Sequence, residues 1–499
     1  MGVGSFILKL LAKQQYKKSV SMQGSAIENQ NSILKTIIKR GRGSLFTSRL
    51  DLANTATYNQ FKNSVQITDY ESIRAYITKI SNGEKNILTQ GAPKYFAITS
   101  GTTSGTKYIP ITGEMMMIQT QAIKELLLLY AYQSGSYSIS NMGMMFIQGS
   151  PELKYFNKMP YAKLSGIAAR HIPFFLKKNR YPSMKTNCIS DWNKKIKKIV
   201  EETYNKDMRV LGGIPPWVIT YFEELLNYTN KKIVTEVFPN LKLYIHGGTS
   251  FDNYKRSFLG FCGEVDTLEV YPASEGFFAY QNTLNERGLL LLTNHGVFYE
   301  FIKLEDYKLK CFNRLCLEDV EVGTDYVMLV STLAGLWAYN TGDTVRFISK
   351  KPYKILFSGR ASQYCSAFGE HVIEKEVQIA LMNTVDLTGG SVVEFSVCPK
   401  ILERPDLSHH LWFIEFLKKP KSLILFEKLL NQEMEKQNIY YKDLIGSGVI
   451  GTLKILCVKR GGFNEYMKSI GKFGGQNKCP HLSNNTQIGD FLTNGYVED

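Results

Sequence analysis

The run Thr99-Ser100-Gly101-Thr102-Thr103-Ser104-Gly105-Thr106-Lys107 follows the apolar stretch Tyr95-Phe96-Ala97-Ile98 and precedes Tyr108-Ile109-Pro110-Ile111. Glycines at this density let the backbone approach a ligand closely, and successive N–H groups with hydroxyls can surround phosphate oxygens. Lys107 adds a point charge. The spacing is not that of a Walker A loop, because the glycines are four apart and no lysine directly follows the second. A second short strand, not a helix, is expected after it, and a plain Ser/Thr/Gly hairpin turn is the alternative. A second stretch, Leu268-Glu269-Val270-Tyr271, reads as a strand running into Pro272-Ala273-Ser274-Glu275-Gly276. One carboxylate on such a turn suits magnesium held together with nucleotide phosphates; the alternative is an ordinary surface glutamate. A third, Tyr339-Asn340-Thr341-Gly342-Asp343, reads as a turn before the alternating strand Thr344-Val345-Arg346-Phe347. An aspartate there can accept hydrogen bonds from vicinal ribose hydroxyls, or it is a common hairpin aspartate. Tyr244-Ile245-His246-Gly247-Gly248 ends another strand in paired glycines that would let backbone lie against a flat purine. His246 reads as a satisfied structural histidine, with a ligand or general base as the alternative.

These stretches need a scaffold. Helical spacing covers 70–80, 113–133, 192–204 and 215–229, and strand-like apolar runs appear at 94–99, 143–148, 241–246, 267–271, 297–302, 325–331 and 345–348. Alternation of the two through 90–350 predicts an α/β body with mixed β-sheets flanked by helices. After Phe357-Ser358-Gly359-Arg360-Ala361-Ser362 a smaller α+β block follows, with a helix at 370–382, strands near 392–398 and 410–417, and a helix at 421–436. The expected organisation is an N-terminal domain 1–357, a hinge 358–362 and a mobile C-terminal domain 363–499.

A chain of 499 residues, 44% hydrophobic and 21% charged, is long enough for more than one core and too apolar for general disorder. Its eight cysteines form no CxxC pair, which predicts reduced thiols and a cytoplasmic protein over a zinc framework. Residues 1–50 hold nine Lys/Arg against the single acid Glu28, over half of the net +15. Phe6-Ile7-Leu8-Lys9-Leu10-Leu11 with Lys13, Lys17 and Lys18 suits a helix on a membrane surface, or one packed on the body with its lysines in water. Neither a secretory signal, nor a myristoylation pattern, nor an 18-residue apolar span is legible. Nucleic acid is not an expected partner, since the excess charge sits at one end without a recognition motif.

Taken in order, the Ser-Gly-Thr-Thr-Ser-Gly loop, the Tyr-x-x-Ser-Glu-Gly turn, the Tyr-x-x-Gly-Asp turn and Gly359-Arg360 before a small domain resemble the adenylate-forming superfamily of acyl-CoA ligases and luciferase. The sequence is more similar to the auxin-responsive Gretchen Hagen family of acyl acid–amido synthetases, in particular its bacterial branch. Tyr70-Glu71-Ser72-Ile73-Arg74-Ala75-Tyr76-Ile77, Gly83-Glu84-Lys85-Asn86-Ile87-Leu88, Gly213-Ile214-Pro215-Pro216-Trp217 and the tail Gly471-Lys472-Phe473-Gly474-Gly475-Gln476-Asn477-Lys478-Cys479-Pro480 carry that likeness, which spans about residues 50–490. The resemblance implies ATP and Mg2+. It places Ser100, Gly101, Thr102, Thr103 and Ser104 at the phosphates, Glu275 at the metal, and Asp343 at the ribose. Tyr339, Tyr271, Ser274 and Gly248 would lie beside the nucleotide, and Arg360 would approach from the C-terminal domain. A late Pro-Lys-x-x-x-Gly-Lys segment typical of the CoA ligases is missing, so Lys478 or Lys472 is the nearest substitute for its lysine.

The activity so implied is adenylation of a carboxylic acid followed by transfer of the acyl group to an amine, an amino acid foremost. An acyl-CoA ligase is the nearest rival; a non-catalytic nucleotide binder docked by its basic N-terminus is another. Trp217, Tyr221 and the segment after Pro151 are expected walls of the acyl pocket. The whole reading requires Thr103, Glu275 and Asp343 to line one cleft.

Overall fold

The structure, a computed structural model, describes residues 3–50, 52, 57–100, 106–137, 143–171, 179–248, 251–361, 364–365, 367–368, 370, 372–402, 407–447, 449–473, 478–483 and 486–498. Among them the chain divides into two compact units. The first comprises residues 1–249 and 262–357, the second 250–261 and 358–499. A single boundary near 357 does not anticipate residues 250–261, which join the second unit.

The first unit opens with two helices, α1 (Val3–Gly24) and α2 (Ala26–Gly41), then the shorter α3 (Tyr58–Ser64) and α4 (Tyr70–Ser81). α4 starts where Asp69 and Ser72 form a reciprocal cap, satisfying two of the orphaned N–H groups of a helix start. A small sheet follows: β1 (Tyr95–Ser100) pairs antiparallel with β2 (Thr106–Ile111), the second short strand that the sequence predicts. Thr112 then caps α5 (Gly113–Ser134), which ends at Gly135 with φ +68°, a left-handed position that glycine tolerates without cost. β3 (Gly143–Ile147) enters the main sheet, β4 (Lys154–Phe156) and β5 (Met159–Ala162) return to the small one, and α6 (Leu164–Arg170) follows.

The main sheet has eleven strands. Its parallel tract is β6 (Arg180–Tyr181), β3, β7 (Met208–Gly213), β8 (Leu243–Gly247) and β9 (Asp266–Pro272). The rest is antiparallel: β10 (Phe277–Tyr280), β11 (Leu289–Leu291), β12 (Val297–Lys303), β13 (Asp325–Thr332), β14 (Tyr339–Lys350) and β15 (Tyr353–Arg360). β12 is an edge strand, and α2 covers it. The buried Gln30 side chain donates to the carbonyls of Thr293 and Val297 at 2.8 and 2.9 Å, and accepts from the Tyr299 N–H at 2.8 Å. This one amide therefore satisfies three backbone groups that an unpaired edge would otherwise expose. The helix Pro215–Thr229 begins with proline in its first turn and stops at Asn230 with φ +53°, matching the sequence reading to the residue.

α1 packs one face on α5: Ala12 is fully buried beside Leu128 and Ala131, and Tyr16 stacks on Tyr132 at 4.3 Å. Its other face leaves Phe6, Ile7, Leu10 and Leu11 exposed among the exposed Lys9, Lys13, Lys17 and Lys18. The packing on α5, with the lysines in water, is the second of the two sequence expectations for this helix. Among the described residues no helix is long and apolar enough to cross a membrane.

The second unit holds a sheet of β18 (Ser391–Lys400), β19 (His409–Lys418) and β20 (Lys454–Cys457), and a two-stranded pair β16 (Tyr364–Cys365) and β17 (Val372–Ile373). Helices Glu374–Thr388 and Leu423–Gln437 supply Val377, Leu381, Phe426 and Leu430 to its core with Phe395 and Trp412 of the sheet.

Candidate active site

In sheets with a parallel tract, ligands collect at the carboxyl ends of the strands. In the first unit those ends carry Gln148-Gly149 after β3, Gly213 at the end of β7, Gly248 after β8 and the turn Ala273-Ser274-Glu275-Gly276 after β9. Gly248 has φ +83°, and a Cβ on its neighbour Gly247 would lie 2.2 Å from the Val270 carbonyl oxygen, so only glycine fits there. His246, just before it, is buried, which pulls its imidazole down to about 3 and keeps it neutral. The turn holding Glu275 is tight, with the Ala273 N–H donating to the Gly276 carbonyl at 2.8 Å.

Asp343 lies within reach of this edge. The Tyr271 hydroxyl, near the end of β9, donates to Asp343 Oδ2 at 2.6 Å, and Asp343 is only 9% exposed. The sequence reading of Tyr339–Asp343 as a turn ahead of a strand is corrected here. These residues belong to β14 itself, and the register jumps from Val327↔Thr344 to Leu329↔Asn340, so that 341–343 bulge opposite Met328. The Thr341 hydroxyl donates to the Met328 carbonyl at 2.8 Å, the Asn340 side chain accepts from the Gly342 N–H at 2.9 Å, and Gly342 takes φ +76°. A bulge re-aims a side chain without ending the strand, and here it turns Asp343 towards Tyr271.

Tyr339 begins the same strand. Burial, then the negative charge of Glu275, then Tyr70 push its phenol well above the usual range, so all three groups share one neighbourhood. Tyr70 is brought there by the segment ahead of α4, where Thr68 donates through its N–H to Ala338 O (3.1 Å) and accepts from Asn340 N–H (2.8 Å). The Tyr70 hydroxyl accepts from the Tyr108 N–H at 3.0 Å, and Lys107 Nζ stands 5.9 Å from the Tyr70 ring centre. β2, on which the glycine-hydroxyl loop lands, is therefore tied to the Tyr339–Glu275–Asp343 group. Gly101, Thr102, Thr103, Ser104 and the side chain of Ser100 lie outside the described residues. Tyr70 and Tyr108 stand beside these candidate residues, and the sequence assigned them no role. The half-buried Lys163 at the end of β5 also went unmentioned, since nothing local marks it.

Of the expected acyl-pocket walls, Tyr221 is fully buried with its hydroxyl 2.8 Å from that of Thr203, which makes it a core residue. Trp217 packs on Trp192 at 4.9 Å.

The second unit carries the tail. Lys478 and Arg360 both lower the Glu374 carboxyl, after the larger effects of burial, which raises it, and of the His481 hydrogen bond and charge, which bring it below the usual range. His481 sits between Glu374 and Glu394, at 2.9 Å from each, and stacks on Phe395 at 4.4 Å. Burial opposes its charged form, but the two carboxylates raise it to about 10. Backbone bonds between Val397 and both His481 and Ser483, 2.9 Å each, lay this tail along β18.

Residues 15–194 match the GH3 family N-terminal domain, 290–360 the GH3 family central domain and 375–487 the GH3 family C-terminal domain. The chain is 22% identical to indole-3-acetic acid-amido synthetase GH3.4 of Arabidopsis thaliana, over 94% of this chain and 91% of that protein. It is also 22% identical to the jasmonoyl–L-amino acid synthetase JAR4 of Nicotiana attenuata, over 94% and 93%. Among solved structures, AtGH3.15 acyl acid amido synthetase in complex with 2,4-DB matches with a TM-score of 0.81 at 18% identity, covering 98% of this chain and 97% of that one. A 2-hydroxyisobutyryl-CoA ligase in the postadenylation state matches at 0.62 and 11% identity, covering 95% and 91%. At such identities the structural likeness speaks to the fold.

Proposed function

The chain belongs to the GH3 family, and on that premise we propose that it activates a carboxylic acid with ATP as the acyl adenylate and transfers the acyl group to an amino acid. The observation that carries this reading is the gathering of Asp343, Tyr271, Tyr339, Glu275 and Tyr70 beside the foot of the glycine-hydroxyl loop. A carboxylate oxygen of the acid attacks the α-phosphorus, and the bond to the bridging oxygen breaks as pyrophosphate leaves. The acceptor's amine then attacks the acyl carbon, AMP departs on its phosphate oxygen, and the nitrogen gives up a proton. Neither step needs a nucleophile from the protein, so the protein's part is orientation and charge.

Asp343, its carboxylate plane fixed by Tyr271, accepts the ribose hydroxyls, with Tyr339, Ser274 and Gly248 around the nucleoside. Ser100, Gly101, Thr102, Thr103 and Ser104 hold the phosphates. Glu275, a single carboxylate on its turn, fits magnesium, which takes one or two carboxylates and completes its shell with phosphate oxygens and water. When bound, the ion supplies positive charge to the leaving pyrophosphate. Lys478 and Arg360 act as the late cations of the second unit. The tail 471–480 supports placement in the bacterial branch. The need for ATP, together with seven described cysteines in thiol form, supports work in the cytoplasm.

The outward face of α1 favours one further contact, with an anionic lipid surface, because its four exposed apolar side chains alternate with lysines.

The deciding experiment is pyrophosphate release from ATP across a panel of acids, each with and without amino acids or coenzyme A. Acid-dependent release with amide formation is expected. A thioester as the sole product would move the chain to the CoA ligases, and ATP binding without any acid-dependent release would end the enzyme reading.

A further inference from the structure

Lys163 follows the last residue of β5. That strand runs parallel to β1, with Phe96 opposite Tyr161 and Ala97 opposite Ala162, so Lys163 follows level with Ile98, two residues before the end of β1 at Ser100. The carboxyl end of β3 meets it from the main sheet. A Cβ on Gly149 would come within 3.3 Å of the Lys163 Cδ, so the lysine stem lies along bare glycine backbone. The contact is firmly built: the Gly149 N–H donates to the Ser165 hydroxyl at 3.2 Å, and a Cβ on Gly166 would stand 2.2 Å from the Ser150 carbonyl oxygen.

Four cations surround the segment Gln148–Pro151, and three have evident structural work. Lys195 Nζ donates to the carbonyls of Gln148 and Asn187 at 2.8 and 2.9 Å, and Arg170 donates to the Pro151 carbonyl at 3.2 Å. Arg180 donates to Gln148 Oε1 at 3.3 Å and stacks over Phe146. The Lys163 carbonyl accepts from the Ile167 N–H at 3.0 Å, but its ammonium makes no hydrogen bond or ion pair among the described residues, and burial alone pulls it down to about 8 with no carboxylate to offset it. An unpaired, partly dehydrated ammonium costs stability, and a perturbed cation of this kind beside the ends of three strands fits an anionic ligand.

We infer that Lys163 forms a carboxylate-binding subsite, taking the carboxylate of the acid being activated or of the amino-acid acceptor. The inference rests on the proposed reaction and adds to it the group that recognises a substrate's charge.

The test compares wild-type full-length protein with Lys163→Met and Lys163→Arg. Acid-dependent pyrophosphate exchange gives KM for the acid and for ATP; amide formation at saturating acid gives KM for the amino acid. One charge-assisted contact predicts that Lys163→Met raises one of the two carboxylate KM values by about tenfold or more, that Lys163→Arg recovers part of it, and that the ATP KM stays put. A shift in the acid KM assigns the subsite to the acid. A shift in the acceptor KM assigns it to the acceptor, and wild-type preference for an amino acid over its amide should then vanish in Lys163→Met. Thermal melting should show Lys163→Met at least as stable as wild type, since it removes an unpaired, half-buried charge. Unchanged carboxylate KM values in an active background, a change confined to ATP, or a destabilised Lys163→Met would overturn the subsite alone. An inactive wild type would overturn the reaction with it.

Discussion

Tyr271 and Asp343, 72 positions apart, are joined by a 2.6 Å hydrogen bond that ties the end of β9 to the bulge in β14. The bond fixes which way the carboxylate faces. Asp343→Ala is expected to lower adenylation by on the order of 100-fold, as loss of one preorganised electrostatic contact does. Tyr271→Phe should keep the fold and raise the ATP KM by a smaller factor, about three- to tenfold, because one neutral donor is lost. Near-normal ATP affinity and turnover in Asp343→Ala would remove it from the nucleotide site.

Glu275 should set the magnesium requirement. Glu275→Gln is expected to need roughly tenfold or more magnesium for half-maximal pyrophosphate release, since a neutral amide is a poorer ligand for a hard cation. Titration at fixed ATP reads this directly. An unchanged magnesium curve would leave Glu275 as a plain turn residue.

His481 predicts a pH signature in the second unit. Its imidazole is raised to about 10 by Glu394 and Glu374. The stability it contributes is therefore fully present below the unfolded value near 6.5 and is lost as pH climbs through about 10. Glu374, held below its ordinary value, loses its share in the opposite direction, as pH falls through that lowered value. Urea unfolding of wild type should weaken between pH 7 and 10, and His481→Gln should flatten that slope. Removing one partner of a buried ion set should cost about 3 kcal/mol at pH 7. A variant that keeps the wild-type slope would place the titration elsewhere.

The outer face of α1 should bind vesicles. Full-length protein is expected to pellet with phosphatidylserine-containing liposomes but not with pure phosphatidylcholine, and binding should fade with added salt. Phe6→Glu with Leu10→Glu should abolish it while the stacked Tyr16–Tyr132 contact keeps the helix in place. Equal pelleting with both lipids, or with neither, would discard the lipid contact.

Much of this architecture was legible because local signals and tertiary pairing agree. The helix at 215–229 is announced by Pro215 and closed by Asn230, and the strand at 243–247 by its apolar run and glycines. The bulge at 341–343 was not legible. Asn340-Thr341-Gly342-Asp343 is locally a turn signal, and only pairing with β13 shows that the strand continues through it. Tyr70 joins the site because Thr68 reaches the start of β14, a contact spanning more than 250 residues, and no window on the chain carries that information. Lys163 is hidden for the same reason: its setting comes from β1, β3 and β5 meeting, whereas its neighbours Ala162 and Leu164 look like ordinary interior. The expected roles of Gly101–Ser104 fall outside the described residues, while the two short strands expected on either side, β1 and β2, pair antiparallel.

The Gln30 amide that closes the border of β12 makes the first forty residues more than a docking appendage. A version trimmed to begin at the family's phosphate loop would leave the Tyr299 N–H and Val297 carbonyl on β12, and the Thr293 carbonyl ahead of it, without their partner. Another copy could zip onto β12. Point changes on the outer face of α1 are therefore a safer probe than truncation, because they leave these bonds intact.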